Sequence, residues 1–476
     1  MKFKKLVSCW ATLGFAFSLH GLYMINETVK EEQSLLISVA NGLLPHSSVF
    51  KIDTLSVFMA TLFAFVGILA SVYSMKYMER DTRLGEYYIL LMLMVAGMTG
   101  VVFAGDFFTL FIFWEIMCIT SYVLVAFRND GWEAVEAGFK YLIMSSTGSV
   151  MILFALSLLY GLAGTLNFAH LTVTISQLSP NRWLMLIMAL LVIGFGIKAA
   201  LVPLHTWLPD AHAAAPSSIS AMLSGVVIAT GPYALMRSLL LILAPQAYSW
   251  QITLTVFAVL TMIVGNLMAL LQSDLKRLLA FSSIAQMGYI VFGISLATLS
   301  GVTGSLFHIM NHAITKGLLF FCSGAFLYTI ESRNLEELAG VGRVMKMTGA
   351  MFTIGCLAIA GFPPFNGFRS ELMILLAGIE AGSGNTTWYL LSMTMLLNVL
   401  FSAAYYLRLI QTIMFRQPSK TTLRAREAPL GMLLPMGILT ALCILIGIYP
   451  EPFISFSGNA ARAALDAEQY ITHMIK

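Results

Sequence analysis

Apolar stretches of about 20 residues recur from near the first residue to about residue 449, and they set what this chain can fold into. A bilayer's hydrocarbon core offers no water to the peptide N–H and C=O groups, so a spanning segment must satisfy them internally. Stretches of this length fit helices at 1.5 Å per residue across roughly 30 Å of hydrocarbon, not barrel strands. Only 11% of the 476 residues are charged, 58% are hydrophobic and the mean hydropathy is +0.84. A soluble domain carries roughly a quarter charged residues. The reading is an all-α polytopic membrane protein.

The predicted spans are 6–25, 53–76, 86–104, 106–127, 138–161, 183–205, 216–240, 250–272, 278–300, 303–329, 348–380, 388–414 and 429–449, about 13 transmembrane helices. Residues 33–44 are too short to cross and are assigned to the interface. The first 25 residues also have the Lys-rich start and apolar run of a leader peptide, but no small-x-small cleavage site. They are read as a retained span. With the N-terminus in the cytoplasm, that side gathers Lys2, Lys4, Lys5, Lys76, Arg80, Arg83, Arg128, Lys276, Arg277, Arg333, Arg343, Lys346, Arg416, Lys420, Arg424 and Arg426. The outer side receives few, among them Lys30, Lys51, Arg182, Arg462 and, near a helix end, Arg237. That asymmetry follows the positive-inside rule and places the C-terminus outside.

Five cysteines (Cys9, Cys118, Cys322, Cys356 and Cys443) stand singly in apolar stretches without metal or iron–sulfur spacing, and read as structural. There is no Walker loop, no GxGxxG after a strand and no HExxH.

Charges at membrane depth point to function. Glu115 lies in "FTLFIFWEIMCITSYVLVAF", Lys198 in "LVIGFGIKAALVPLHTWLPD" and Glu371 in "AGFPPFNGFRSELMILL". In "LFHIMNHAITKGLLFFCSGAF", His308, His312 and Lys316 stand at i, i+4 and i+8, one stripe of a helix. Each central charge costs about 2.5–3.5 kcal/mol on insertion scales. A structural ion pair is the plain alternative for any two of them. Six acids and bases from at least four helices fit a proton relay better, and histidine gains and loses a proton near neutrality. Lys140, Arg369 and Arg408 lie near helix ends, within snorkelling reach of water. Pro203 and Pro363–Pro364 interrupt two spans beside Lys198 and Glu371, the pattern of broken helices at transporter sites.

With those residues in view, the chain resembles the antiporter-like proton-translocating subunits shared by respiratory complex I (NuoL, NuoM and NuoN types), Mrp Na⁺/H⁺ antiporters (MrpA and MrpD types) and membrane-bound group 4 hydrogenases. The most specific stretch is "KAALVPLHTWLPDAHAAAPSSISAMLSG", supported by "LLQSDLKRLLAFSSIAQMGYIVFGI" and "KYLIMSSTGSVMILFALSLLYGLAGTLNF". The resemblance implies two inverted five-helix repeats, each with a proline-broken helix. It implies that Glu115 pairs with Lys198, that His308, His312 and Lys316 form a central hydrophilic axis, and that Glu371 ends the series. His205, Asp210 and His212 also invite a metal reading, set aside because their stretch shapes a helix break and is a family signature without metal.

Three departures stand out. Ala229 occupies the place of a bridging lysine and Ser224 that of a histidine found in some relatives. The first region is one helix short of the usual 14, and no long lateral helix follows the last span; the tail is about one short amphipathic helix long. The expected organisation is an N-terminal helix and outer loop over 1–52, an antiporter-like transmembrane core over 53–449 and a tail over 450–476.

By resemblance, the chain moves protons through its Glu/Lys/His relay inside a redox-driven complex. It has no cofactor of its own, and iron–sulfur clusters, flavin or a NiFe centre belong to partner subunits. The partners implied are other membrane subunits, paralogous antiporter-like chains included, and the lipid bilayer of a bacterial or archaeal cell membrane; nucleic acid is not among them. The ion is H⁺, with Na⁺ as the other candidate. Competing readings are an Mrp-like antiporter subunit, a subunit of an inorganic-carbon uptake complex, and a non-transporting scaffold.

Overall fold

Asp53, Asp106 and Asp274 each begin a helix in the same way. Their carboxylates accept the backbone N–H of Ser56 (2.9 Å), Thr109 (2.7 Å) and Arg277 (3.0 Å), filling N-terminal donors that the helix leaves unpaired. The computed structural model describes residues 2–38, 49–179, 182–243, 250–383 and 386–475. It contains α1 (Lys2–Glu32), β1 (Ser34–Ser38), β2 (Val49–Asp53), α2 (Thr54–Tyr77), α3 (Leu84–Phe103), α4 (Phe107–Val125), α5 (Trp132–Ala163), α6 (Phe168–Gln177), α7 (Arg182–Lys198), α8 (Trp207–Ala214) and α9 (Ser217–Ile242). Then follow α10 (Trp250–Leu270), α11 (Leu275–Ser295), α12 (Leu299–Ile330), α13 (Lys346–Ile359), α14 (Asn366–Ala381), α15 (Thr386–Phe415), α16 (Leu430–Ile448), α17 (Glu451–Leu465) and α18 (Ala467–Ile475).

Among the described residues, eleven helices are long and apolar enough to cross a membrane. Of the two other predicted spans, 183–205 covers α7 and the break before α8, and 348–380 covers α13, a break and α14, so length and hydropathy alone reach eleven and not about 13. The first break spans Ala199–Thr206, where Ala200 takes a left-handed φ of 52° and Pro203 cannot donate. Its freed groups find protein partners: Val202 N–H donates to Thr261 Oγ1 (2.9 Å) and Trp207 Nε1 to the Ile197 carbonyl (2.9 Å). The second break, Ala360–Phe365, turns at Gly361 with φ 73°. Asn311 on α12 donates to the Asn366 carbonyl (3.1 Å) at the start of the next half-helix.

The internal repeat shows in matched short pairings. Asp106 bridges Asn167, and Asp274 bridges Asn334. In the first, Phe107 N–H donates to the Leu166 carbonyl (3.0 Å) and Phe168 N–H to that of Gly105 (3.1 Å); in the second, Leu275 donates to Arg333 (2.9 Å) and Leu335 to Ser273 (2.9 Å). Five helical passages separate the two, so they lie at opposite ends of the bundle and the halves are inverted. Each half, α3–α9 and α10–α15, has its broken helix in the fourth passage.

α9 and α11 are wholly buried over their apolar lengths and form the centre with α12, while α1 turns Trp10, Leu13 and Phe17 outward. α9 contains two stretches of wider turn, Leu223–Val227 and Met236–Ile242. Two features depart from the sequence reading. Ser34–Ser38, expected at the interface, pairs as an antiparallel strand with Val49–Asp53, and positions 39–44 of that stretch lie outside the described residues. The tail holds two helices, not one, and α17 packs on α2 and α12.

Candidate functional site

Lys198 is the last residue of α7, at the helix break, and is 2% exposed. Its ammonium donates to the Tyr141 hydroxyl at 2.6 Å, with Ser121 Oγ at 3.4 Å and Cys118 Sγ at 3.5 Å. Ser121 and Tyr141 are themselves joined at 2.9 Å, and the Tyr141 ring stacks on Trp207 just past the break. Glu115 on α4 accepts a hydrogen bond from Ser149 of α5. No ion pair within 4.0 Å joins Glu115 to Lys198 among the described residues, so the implied pairing is not a direct contact here; Cys118, one turn beyond Glu115, lies between them in sequence and touches the ammonium.

The second lysine is held alike. Lys316 on α12 donates to the Leu279 carbonyl (3.0 Å), the Tyr406 hydroxyl (3.0 Å) and Ser282, and Tyr406 donates to Ser282 at 2.9 Å. Both lysines therefore end in a tyrosine–serine cradle without a carboxylate in contact.

Two turns before Lys316, His308 is fully buried between two partners, Ser370 Oγ at its Nδ1 (2.9 Å) and Gln286 Oε1 at its Nε2 (2.5 Å). Since an amide oxygen only accepts, Nε2 carries the proton. The other end of Gln286 donates to Glu371 Oε1 at 3.4 Å, linking His308 to Glu371 through one side chain. Gly361 leaves room for that carboxylate: a Cβ there would stand 2.3 Å from Glu371 Oε2. His312, between His308 and Lys316 on the stripe, has no hydrogen-bond partner for either ring nitrogen among the described residues.

His212 on α8 shares that condition: it is fully buried, its ring stacks on Phe320 (4.7 Å), and both nitrogens lack partners. Lys276, counted by sequence among the charges of a cytoplasmic loop, is turned inward, 1% exposed, with its ammonium on the Ala215 carbonyl (2.5 Å). Beside it a cavity of about 350 Å³ carries Glu133, Lys140, Asp210, Asp274, Arg277 and Arg333. Asp210 is engaged by Lys140 (3.0 Å) and Arg277 (2.9 Å), so it belongs to this ion-pair network rather than to a ligand set with His205 and His212. Lys140 does reach the surface, as its helix-end position implies.

Residues 104–402 match the family model described as NADH:quinone oxidoreductase/Mrp antiporter, TM, a region that contains all six expected relay residues. The chain belongs to this family. Residues 39–88 match a second model, the complex I chain 5 N-terminus. Among similar proteins, NADH-quinone oxidoreductase subunit N of Desulforudis audaxviator is 32% identical over 85% of this chain and 82% of its own. A Na⁺/H⁺ antiporter subunit of Alkalihalophilus pseudofirmus is 27% identical over 99% of this chain and 94% of its own. A chain of the membrane-bound sulfane sulfur reductase, an archaeal respiratory membrane complex, superposes with a TM-score of 0.90 at 32% identity, covering 98% of this chain and 93% of that one.

Against the family pattern, Ala229 is buried and brings no polar group to the centre. Ser224 instead pairs with Ser283 of α11 at 2.7 Å. Sequence reading missed Gln286, Tyr141 and Tyr406 as partners of the charged residues. It also missed a buried network in which Asn266 donates to Tyr289 (3.0 Å) and Asn398 (3.1 Å) and accepts from Tyr405 (3.1 Å). The available signal was polar residues in apolar spans, which alone does not say which of them meet.

Proposed function

We propose that this chain is the proton-translocating membrane subunit of a redox-driven multisubunit complex, with the redox centres in partner subunits. The observation that carries this is the buried line from His308 of α12 through Gln286 of α11 to Glu371 of α14, with His312 and Lys316 buried on the same stripe of α12 as His308. Buried polar groups at membrane depth are costly and persist where they serve a path. In this reading Lys198 and Lys316 store protons and their tyrosines and serines pass them on. Glu115 acts as the movable counter-charge: its approach holds a proton on Lys198, and its withdrawal lets that proton leave. His312 and His212, each with two unpaired nitrogens, are the positions where water completes the line, and His212 supplies at the centre the polar group that Ala229 does not. Protons enter from the charged cavity beside Lys276 and leave from Glu371.

Coupled proton pumping in membrane vesicles tests this. Glu115→Gln and Lys198→Ala should each abolish pumping with the complex still assembled; normal pumping in both rejects the relay. The likeness to the Na⁺/H⁺ antiporter chain of Alkalihalophilus pseudofirmus, along 99% of this one, supports a second reading, exchange without electron transfer. Flavin or iron–sulfur absorbance in the gently solubilised native complex favours the redox pump, and a colourless complex favours the antiporter.

A further inference from the structure

At the end of the bundle that carries the strand pair, Lys51 of β2 is 2% exposed and has no carboxylate within 4.0 Å among the described residues. Its ammonium donates to the backbone carbonyl of Tyr470 and stands 3.4 Å from the centre of that ring. An ammonium has three N–H donors, so two remain. The nearby acid, Asp53, is already bound by Arg237 through Nη2 at 2.7 and 2.6 Å. Arg237 Nη1 has no hydrogen-bond partner among the described residues.

Lys51 lines an open pocket of about 330 Å³ between β2, the end of α1 and the two tail helices. Its wall adds Asn26, Gln33, Asn459 and Arg462, and the Ser34 hydroxyl, which is buried without a hydrogen-bond partner among the described residues. The other rim cation, Lys30, is matched by Glu27 (2.8 Å), and Asp466 at the wall caps Gln469 N–H (2.8 Å). Lys51 and Arg462 thus share the pocket with two acids, Asp466 and the Asp53 already held by Arg237, and with several neutral donors. A desolvated cation left without a counter-charge is unfavourable, and an anion entering the pocket removes that penalty.

We infer that this pocket binds an anionic phosphate group, either a phospholipid headgroup or a free phosphate. Several elements present donors to one pocket, which suits a tetrahedral group with several acceptor oxygens. The site does not depend on the proposed proton path.

Burial lowers the Lys51 amine to about 7, the Asp53 charge opposing this and that of Arg237 adding to it. Part of the amine is therefore unprotonated near neutrality, and a bound anion restores its proton. The test is trace amine labelling at pH 7.5 of the full chain in nanodiscs of phosphatidylglycerol or phosphatidylcholine, with and without inorganic phosphate, reading Lys51 against exposed Lys420 by peptide mass spectrometry. At pH 7.5 the first pKa unit regained lowers the free amine about threefold, and each further unit approaches about tenfold. Slowing in phosphatidylglycerol alone identifies a lipid site, and slowing on adding phosphate in phosphatidylcholine identifies a free-anion site. Equal Lys51 rates in all conditions overturn the inference, as does undiminished phosphatidylglycerol retention by Lys51→Gln in native mass spectrometry after slowing in phosphatidylglycerol alone.

Discussion

Lys198 and Lys316 meet the membrane interior in the same company, a tyrosine hydroxyl backed by a serine. A hydrogen bond to a charged group contributes about 1.5–3 kcal/mol. Removing the hydroxyl leaves the ammonium under-solvated without changing the fold around it. Tyr141→Phe and Tyr406→Phe should each slow proton pumping by about tenfold or more, since about 1.4 kcal/mol is a factor of ten. Pumping assays on complexes of equal abundance check this. The charged residues themselves were legible in the sequence because an apolar stretch makes each conspicuous. Their hydroxyl and amide partners were not, because Tyr141, Tyr406, Gln286 and Ser370 are unremarkable in composition and come from other helices.

At the scale of elements, apolar length exposed the long helices and proline exposed both breaks. Ser34–Ser38 was missed as a strand because five residues are too few to show alternation and its partner lies beyond a long connection. Lys276 was placed in a loop because a lysine after Asp274 reads as a helix start facing water. Only packing shows α8 and the Ala215 carbonyl closing over it. The second break rests on one position. Gly361 has a left-handed φ, which costs a residue with a Cβ about 1–2 kcal/mol. The added methyl would also collide with Glu371. Gly361→Ala should lower the thermal stability of the detergent-solubilised chain and reduce pumping beyond the loss of assembled complex. A variant with wild-type stability and pumping would show that Glu371 needs neither that turn nor that space.

Across the whole molecule, two inverted halves each bring a broken helix beside a buried lysine or acid, and α12 of the second half holds His308, His312 and Lys316 inside the protein. The inversion itself was not readable from these residues without the resemblance, because the halves share matched pairings such as Asp106–Asn167 and Asp274–Asn334 rather than repeated sequence. The central claim is that this axis carries protons and is not a scaffold. The most direct measurement is proton translocation by vesicles containing the intact native complex with His308→Gln, His312→Gln and Lys316→Met combined, compared with wild type at equal complex abundance. Loss of translocation with assembly retained is the expected result; translocation at the wild-type rate would contradict it.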